Sequence, residues 1–445
     1  MMKKIKLVSA VVLASLAFMG CSESDLAPAR EETGLTEISL AGGAASLYTD
    51  VSIRNNSGRR RTMIKGDNDE IVETIPNMGV FCLAREVQGT NPAATAMKDI
   101  QDWFQNTFTD PNADMDNSQI TNNMFCLIHN LKSTRTNREI VAKSGRAYEI
   151  TWDKDTVAYY PTTQFYNYDF FAYYPYTDEL RHRKNGKGQN HKVEAAVRID
   201  GRTDVLWGRA TVTDEMTEWE KKYAYSAKYF REQDNISITT NPVVKLEHVL
   251  TRMRFLITPG TTVEGGTDIR EASDMTVEKI VVRNVNSKHW LTVADLDNID
   301  VTADKLLSDP SEPVDMVLWD EENDMAAIKQ CPQELNDTVE IGDGIMLPPA
   351  KEYMIQIILS RPVQKTIQVE DYYDYDLEKW VMKDEVVWDK ELWVSETPLM
   401  MGNGGKNFAQ GKCYDVVITV HGPKQVGLGA TLKEWESEQG PTFEL

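Results

Sequence analysis

The chain has little helical periodicity, few cysteines and few histidines, and it is short of positive charge. Each shortage excludes something. After the first 20 residues no run is long and apolar enough to cross roughly 30 Å of hydrocarbon as a helix. The five cysteines, Cys21, Cys82, Cys126, Cys331 and Cys413, form no Cys-x-x-Cys pair, which removes zinc-ribbon and dithiol redox motifs. The six histidines, His129, His182, His191, His248, His289 and His421, form no His-Glu-x-x-His and no paired metal spacing. No Gly-x-Ser-x-Gly elbow is present. Lys and Arg number 48 against 69 Asp and Glu, a formal charge of −21. Such a surface repels nucleic acid. No cofactor, metal or nucleic-acid partner is expected, and no constellation points to catalysis, so the chain reads as a non-enzyme. Paired glycosidase carboxylates leave no trace in spacing, because two acids can meet from anywhere in a fold.

What is present starts at the N-terminus. Lys3, Lys4 and Lys6 lead an apolar run over residues 7–19, closed by Gly20 and Cys21. This is the layout of a signal peptide, residues 1–20. The run is about 13 residues, too short to span a bilayer. A Cys directly after Gly resembles the lipobox of bacterial lipoproteins, although Phe18 and Met19 depart from the usual Leu-(Ala/Ser) pair. That resemblance implies cleavage before Cys21 and acylation of its thiol. Each buried CH₂ of such a lipid contributes about 0.8 kcal/mol of anchoring. Cleavage also removes three lysines and takes the charge to −24. The following Ser-Glu-Ser-Asp resembles a signal that exports lipoproteins to the outer face of the outer membrane. Residues 21–34 read as a polar, lipidated linker.

From there strand patterns dominate. "MGVFCLARE", "YDFFAYYPYT", "DVLWGRATVT", "VVKLEHVLTRMRFLITPG", "TVEKIVVRNVNS", "EYMIQIILSRP", "DEVVWDKELWVS" and "CYDVVITVHGP" are rich in Val, Ile, Thr and aromatics, with Pro, Gly, Asn and Asp between them. The expectation is an all-β chain of two β-sandwich domains, residues 35–240 and 241–445, with a small helical insertion. "AATAMKDIQDWFQNTF" places Met97, Ile100, Trp103 and Phe104 at helical spacing. "DEMTEWEKKYAYSAKYF" predicts a second short helix. No short repeat is visible, which disfavours solenoids and propellers.

The remaining candidates for chemistry are weak. Cys82, Cys126 and Cys413 sit in apolar stretches and read as buried thiols. Whether Cys82 and Cys126 pair cannot be read from sequence. "MGNGGKN" reads as a turn. Asp110, Asn112, Asp114 and Asp116 alternate like calcium ligands. However, Met115 and Thr121 stand where such a loop needs Gly and Glu, so a solvated acidic loop is favoured. "DYYDYDLEKW" is favoured as an amphipathic hairpin; the competing use is a glycan platform of Tyr372, Tyr373 and Tyr375. His248 lies in an amphipathic strand and reads as a hydrogen-bonded structural residue.

The order of segments carries a resemblance. "IPNMGVFCLARE", "YYPTTQFYNYDFFAYYPYT", "TDVLWGRA", "VVKLEHVLTRMRFLI" and the closing "CYDVVITVHGPKQVGLGATLKEW" follow one another as in the fimbrillin family of Gram-negative anaerobes. The likeness runs from about Thr36 to Trp435. "WGRA" replaces a plainer Tyr-Ala, and the segment near Asp99 looks inserted. The resemblance implies two tandem transthyretin-like β-sandwich domains and a lipoprotein subunit of surface fimbriae, as stalk, tip or anchor. It supplies no catalytic residues. It implies other fimbrial subunits, and host or bacterial surface ligands, as partners.

In polymerising members an Arg- or Lys-specific protease removes the N-terminal strand, and a neighbour's strand fills the groove. Here "TEISLAGGAASLY" offers a removable strand with Ile38, Leu40 and Leu47 as groove fillers. Arg59, Arg60 and Arg61 form a candidate cut site, and equally a solvated loop; Arg30 is a second candidate. Val426, Leu428, Ala430 and Leu432 alternate, and they suit either a donor strand or the last strand of the molecule's own sheet. The expected location is the outer membrane surface and the fimbrium. The alternative reading is a surface glycan-binding lipoprotein.

Overall fold

The computed structural model describes residues 36–43, 74–85, 102–104 and most of 125–433. The all-β architecture expected from the sequence is present. In the first sheet β2 (Leu40–Gly43), β3 (Ile75–Arg85), β4 (Cys126–Ala142), β5 (Gly145–Trp152), β7 (Asn167–Tyr174), β10 (Leu206–Ala210) and β11 (Val243–His248) close into a barrel. Around it the order is β10-β11-β2-β5-β4-β3-β7, and β7 pairs back to β10. Just ahead of β2 in the chain, β1 (Thr36–Glu37) pairs with β6 (Tyr159–Tyr160) in a short ribbon.

The rest is a sandwich. One sheet has β20 (Val339–Leu347), β12 (Thr251–Pro259), β23 (Cys413–Gly422) and β24 (Gln425–Lys433) in that order. The other runs β22 (Lys379–Met400), β21 (Glu352–Asp374), β15 (Thr276–Asp295), β9 (Asn190–Arg198), β8 (Leu180–Lys184). β16 (Leu307–Val317) and β19 (Lys329–Gln330) also pair with β15. Two ribbons complete the strands: β13 (Thr262–Glu264) with β14 (Thr267–Ile269), and β17 (Trp319–Asp320) with β18 (Met325–Ala326). Strand pairing crosses the expected boundary at residue 240 in both directions. β8 and β9 join β15, and β11 closes the barrel. Alternation tells a strand which face to bury, not which strand to lie beside.

The barrel wall explains how the two parts meet. Strands alternate faces. In β3, Met78, Val80, Cys82 and Ala84 enter the barrel interior, whereas Phe81 and Leu83 enter the sandwich core. In β7, Phe170 and Ala172 point in, and Tyr173 points out to the same sandwich core as Met253, Ile280 and Val416. A wall strand buried on both faces must be apolar on both, which is what "GVFCLA" and "FFAYY" supply. Gly79 is required by close approach: a Cβ there would lie 2.2 Å from Tyr173 Cε1.

The second predicted helix is present as α1 (Glu218–Tyr223) and α2 (Ala227–Arg231). α1 starts with a capping box: Glu220 N–H donates to Thr217 Oγ1 (3.2 Å) and Thr217 N–H donates to Glu220 Oε2 (2.7 Å). The first predicted helix lies outside the described residues except for Asp102, Trp103 and Phe104, where 103–104 form a turn. There the Trp103 indole donates to the Ala84 carbonyl at 3.1 Å, and Phe104 stacks on His182 at 3.8 Å.

Candidate functional site

The site is built around β2, one strand with two different neighbours. Residues 40–43 run antiparallel to β5, from Leu40↔Ile150 to Gly43↔Ala147, and parallel to β11 at Val243↔Ala41 and Val244↔Gly42. Just before the strand, the Ile38 N–H donates to the Ala158 carbonyl at 2.8 Å; within it, the Ala41 N–H donates to the Pro242 carbonyl at 3.0 Å. Ile38 and Leu40, 1% and 2% exposed, project into the barrel core. Ala41 faces the other way, onto Ile140 and Ala147. Gly42 lies across the stem of buried Arg135, where a Cβ would come within 2.9 Å of Arg135 Cδ. The Arg135 guanidinium sits 5.2 Å over the Tyr148 ring. Without β2, β5 and β11 would be left as two open edges one strand apart, lined by apolar side chains and a cation.

Of the candidate removable residues, Ile38 and Leu40 therefore fill the barrel. Leu47 lies outside the described residues, as do Cys21, Arg30, Arg59, Arg60 and Arg61. At the far end, β24 is an edge strand paired antiparallel with β23 from Cys413↔Lys433 to Gly422↔Gln425. Val426, Leu428 and Ala430 are half-buried against the sandwich core. Leu432 stands opposite Tyr414 in the same ladder. In this conformation the segment completes the molecule's own sheet.

The other candidates resolve simply. His248 bonds through Nδ1 to Oδ2 of buried Asp204 at 2.5 Å. Cys82, Cys126, Cys331 and Cys413 are buried thiols that form no disulfide among the described residues, and burial raises the Cys331 thiol to about 11. The acidic segment 110–121 lies outside the described residues. Among the described residues no three His, Cys, Asp or Glu side chains stand where they would hold a metal ion. "DYYDYDLEKW" forms the tip of the β21–β22 hairpin. Tyr373 meets Tyr375 at 78° and Trp380 at 74°, edge to face, so these rings make no flat platform.

Two features were not read from the sequence. One is a histidine pair, His129 Nε2 to His182 Nε2 at 3.2 Å, in which one neutral ring donates and the other accepts. Burial first, then its neighbour His182, lowers His129 to about 3; burial lowers His182 to about 4. The other is the length of the β21–β22 hairpin, whose outer strand exposes a line of apolar side chains.

No family model matches this chain, and no curated protein matches it. Among solved structures, a candidate cell adhesion protein from Bacteroides uniformis aligns over 91% of this chain and 100% of its own, with 13% identity and a TM-score of 0.39. The fimbrial anchor protein Mfa2 from Porphyromonas gingivalis aligns over 89% and 97%, with 7% identity and a TM-score of 0.27. A fimbrial assembly protein from Parabacteroides distasonis aligns over 90% and 99%, with 9% identity and a TM-score of 0.30. At these scores the likenesses carry no weight for function, which rests on the chain's own residues.

Proposed function

We propose that the chain is a structural or adhesive subunit of cell-surface fimbriae, exported as a lipoprotein on Cys21 and joined to other subunits by strand exchange. The observation that carries this reading is the position of β2. A four-residue strand, with Leu40 in it and Ile38 just before it filling the barrel, closes that barrel between two unlike neighbours, and it comes before the arginine run in the chain. A strand so placed is replaceable in register by another chain's strand, because main-chain bonds supply the affinity and alternate side chains the specificity. The order of fimbrillin-like segments and the Gly-Cys junction agree with it. A subunit that keeps Cys21 and β2 is an anchor at the outer membrane; one cut after Arg30 or at Arg59, Arg60 or Arg61 is a stalk or tip subunit.

The test is to trim the purified chain with an arginine-specific protease and follow its size and fragments. The expected result is loss of the segment carrying Ile38 and Leu40, followed by laddered oligomers. A trimmed chain that stays monomeric, or a strictly monomeric chain that binds a glycan saturably, overturns the reading.

A further inference from the structure

The β21–β22 hairpin outruns its sheet. β15 pairs with β21 only between Thr276↔Ser360 and Arg283↔Met354. β21 and β22 stay paired from Glu352↔Met400 to Asp374↔Lys379. The part beyond Ser360 is an arm about 45 Å long at roughly 3.4 Å per residue. Glu278 of β15 holds its base, accepting from Ser360 Oγ at 2.5 Å and Lys390 Nζ at 2.7 Å. Isolated two-stranded ribbons are marginal in water. Among the described residues β22 is the outermost strand, and its outer backbone edge pairs with no other strand. Trp380, Met382, Val386, Trp388, Leu392 and Val394 are all exposed, and all sit at even positions, hence on one face.

The sequence of that edge is nearly its own mirror image. Residues 380–394 read WVM-KDE-VVW-DKE-LWV: apolar, charged, apolar, charged, apolar, in threes about Val387. Two antiparallel copies centred on Val387 would oppose Trp380 to Val394, Met382 to Leu392 and Val386 to Trp388. Lys383 would face Glu391 of the second copy, and Asp384 would face Lys390. The one like-charged match, Glu385 with Asp389, is relieved by Lys365, whose Nζ lies 3.6 Å from Asp389 in the same arm. No Gly or Pro interrupts the run, and Pro398, which cannot donate to a ladder, falls outside it.

We propose that β22 pairs edge to edge with β22 of a second copy of this chain, about a two-fold axis at Val387, making a four-stranded ribbon from two arms. An unpaired, apolar, self-complementary edge is a template for such addition, and two-fold contacts are self-complementary by construction. The inference does not depend on the exchange of β2.

The test is disulfide trapping of the full chain carrying Val387→Cys under mild oxidation, read on a non-reducing gel. Residues directly opposite in an antiparallel pair have Cα atoms about 4.5–5.5 Å apart, within disulfide reach. The native thiols other than Cys21 are buried and give little background. A linked dimer is expected from Val387→Cys and from the double variant Glu385→Cys with Asp389→Cys, and little from Glu385→Cys alone. Lys383→Glu should weaken dimer formation about tenfold, since it makes two like-charged pairs per dimer. Adding Glu391→Lys should restore it. No linked dimer, equal linking by all three variants, or failure of the charge swap to restore association overturns the proposal.

Discussion

β7 and β22 are both strands and end in opposite surroundings. β7 is eight residues of aromatics and small side chains, with strands on both sides and cores on both faces. β22 is 22 residues that mix tryptophans and aliphatic side chains with charges; among the described strands it pairs with β21 alone, and most of its length is exposed. Composition and neighbours together decided burial: apolar side chains on both faces of β7 meet two cores, whereas the charged triplets of β22 stay in solvent. The same contrast separates β2 from β24. β2 is enclosed by β5 and β11, whereas β24 has a partner on one side only. The exposed edges are where this molecule has room for other chains.

Substitutions in the wall should have the largest effect. Phe170→Ala, which empties the barrel core, should cost about 3–5 kcal/mol in thermal or urea unfolding. Next comes the enclosed strand. Leu40→Ala should cost about 2–4 kcal/mol, and amide exchange should quicken first in β2, β5 and β11 if that strand opens on its own. Gly79→Ala forces a Cβ into Tyr173 and disturbs the bond from the Tyr173 hydroxyl to Asn130 Oδ1 at 2.7 Å. Overpacking of this kind costs about 1–3 kcal/mol, and a lowered melting temperature would register it.

The histidine pair sharpens the wall in another way. Both rings titrate below their ordinary value of 6.5 when folded, near 3 and near 4, chiefly because they are buried. Unfolding therefore takes up protons as the pH falls below about 6.5. This contribution to stability is complete above that pH and is lost progressively toward pH 4 and 3. Melting temperature against pH should fall more steeply for the native chain than for His182→Phe. Smallest of all is the arm: Trp388→Ser, at a side chain 69% exposed, should change unfolding of the isolated chain by no more than about 0.5 kcal/mol.

Much of this was legible, and the gaps have physical causes. The strands in "GVFCLA" and "FFAYY" and a short helix in "DEMTEWEKKYAYSAKYF" were legible; burial of both strand faces and the Thr217–Glu220 cap became visible only in the fold. Ile38 and Leu40 were legible as fillers because they sit two apart, on one face of an extended segment. What stood beside each strand was not legible: nothing in "NHKVEAAVR" says that β9 will pair with β15 about 90 residues later. The arm was hidden by Pro362, which reads as the end of a strand. It does end the sheet, because β15 leaves β21 at Ser360. On the other side Pro362 still stands opposite Lys390, where a missing N–H is tolerated, and the hairpin continues. Leu47 and the arginine candidates lie outside the described residues, so their part in the account rests on the sequence.

We propose a lipoprotein subunit whose strand β2 is exchangeable. The most direct test is the N-terminus of the protein taken from its native cell surface, read by intact-mass and peptide mass spectrometry. The expected start is acylated Cys21, for an anchor, or the residue directly after Arg30, Arg59, Arg60 or Arg61, for a subunit whose strand has been cut away. A chain that starts at Met1, or at an unmodified residue elsewhere, would contradict it.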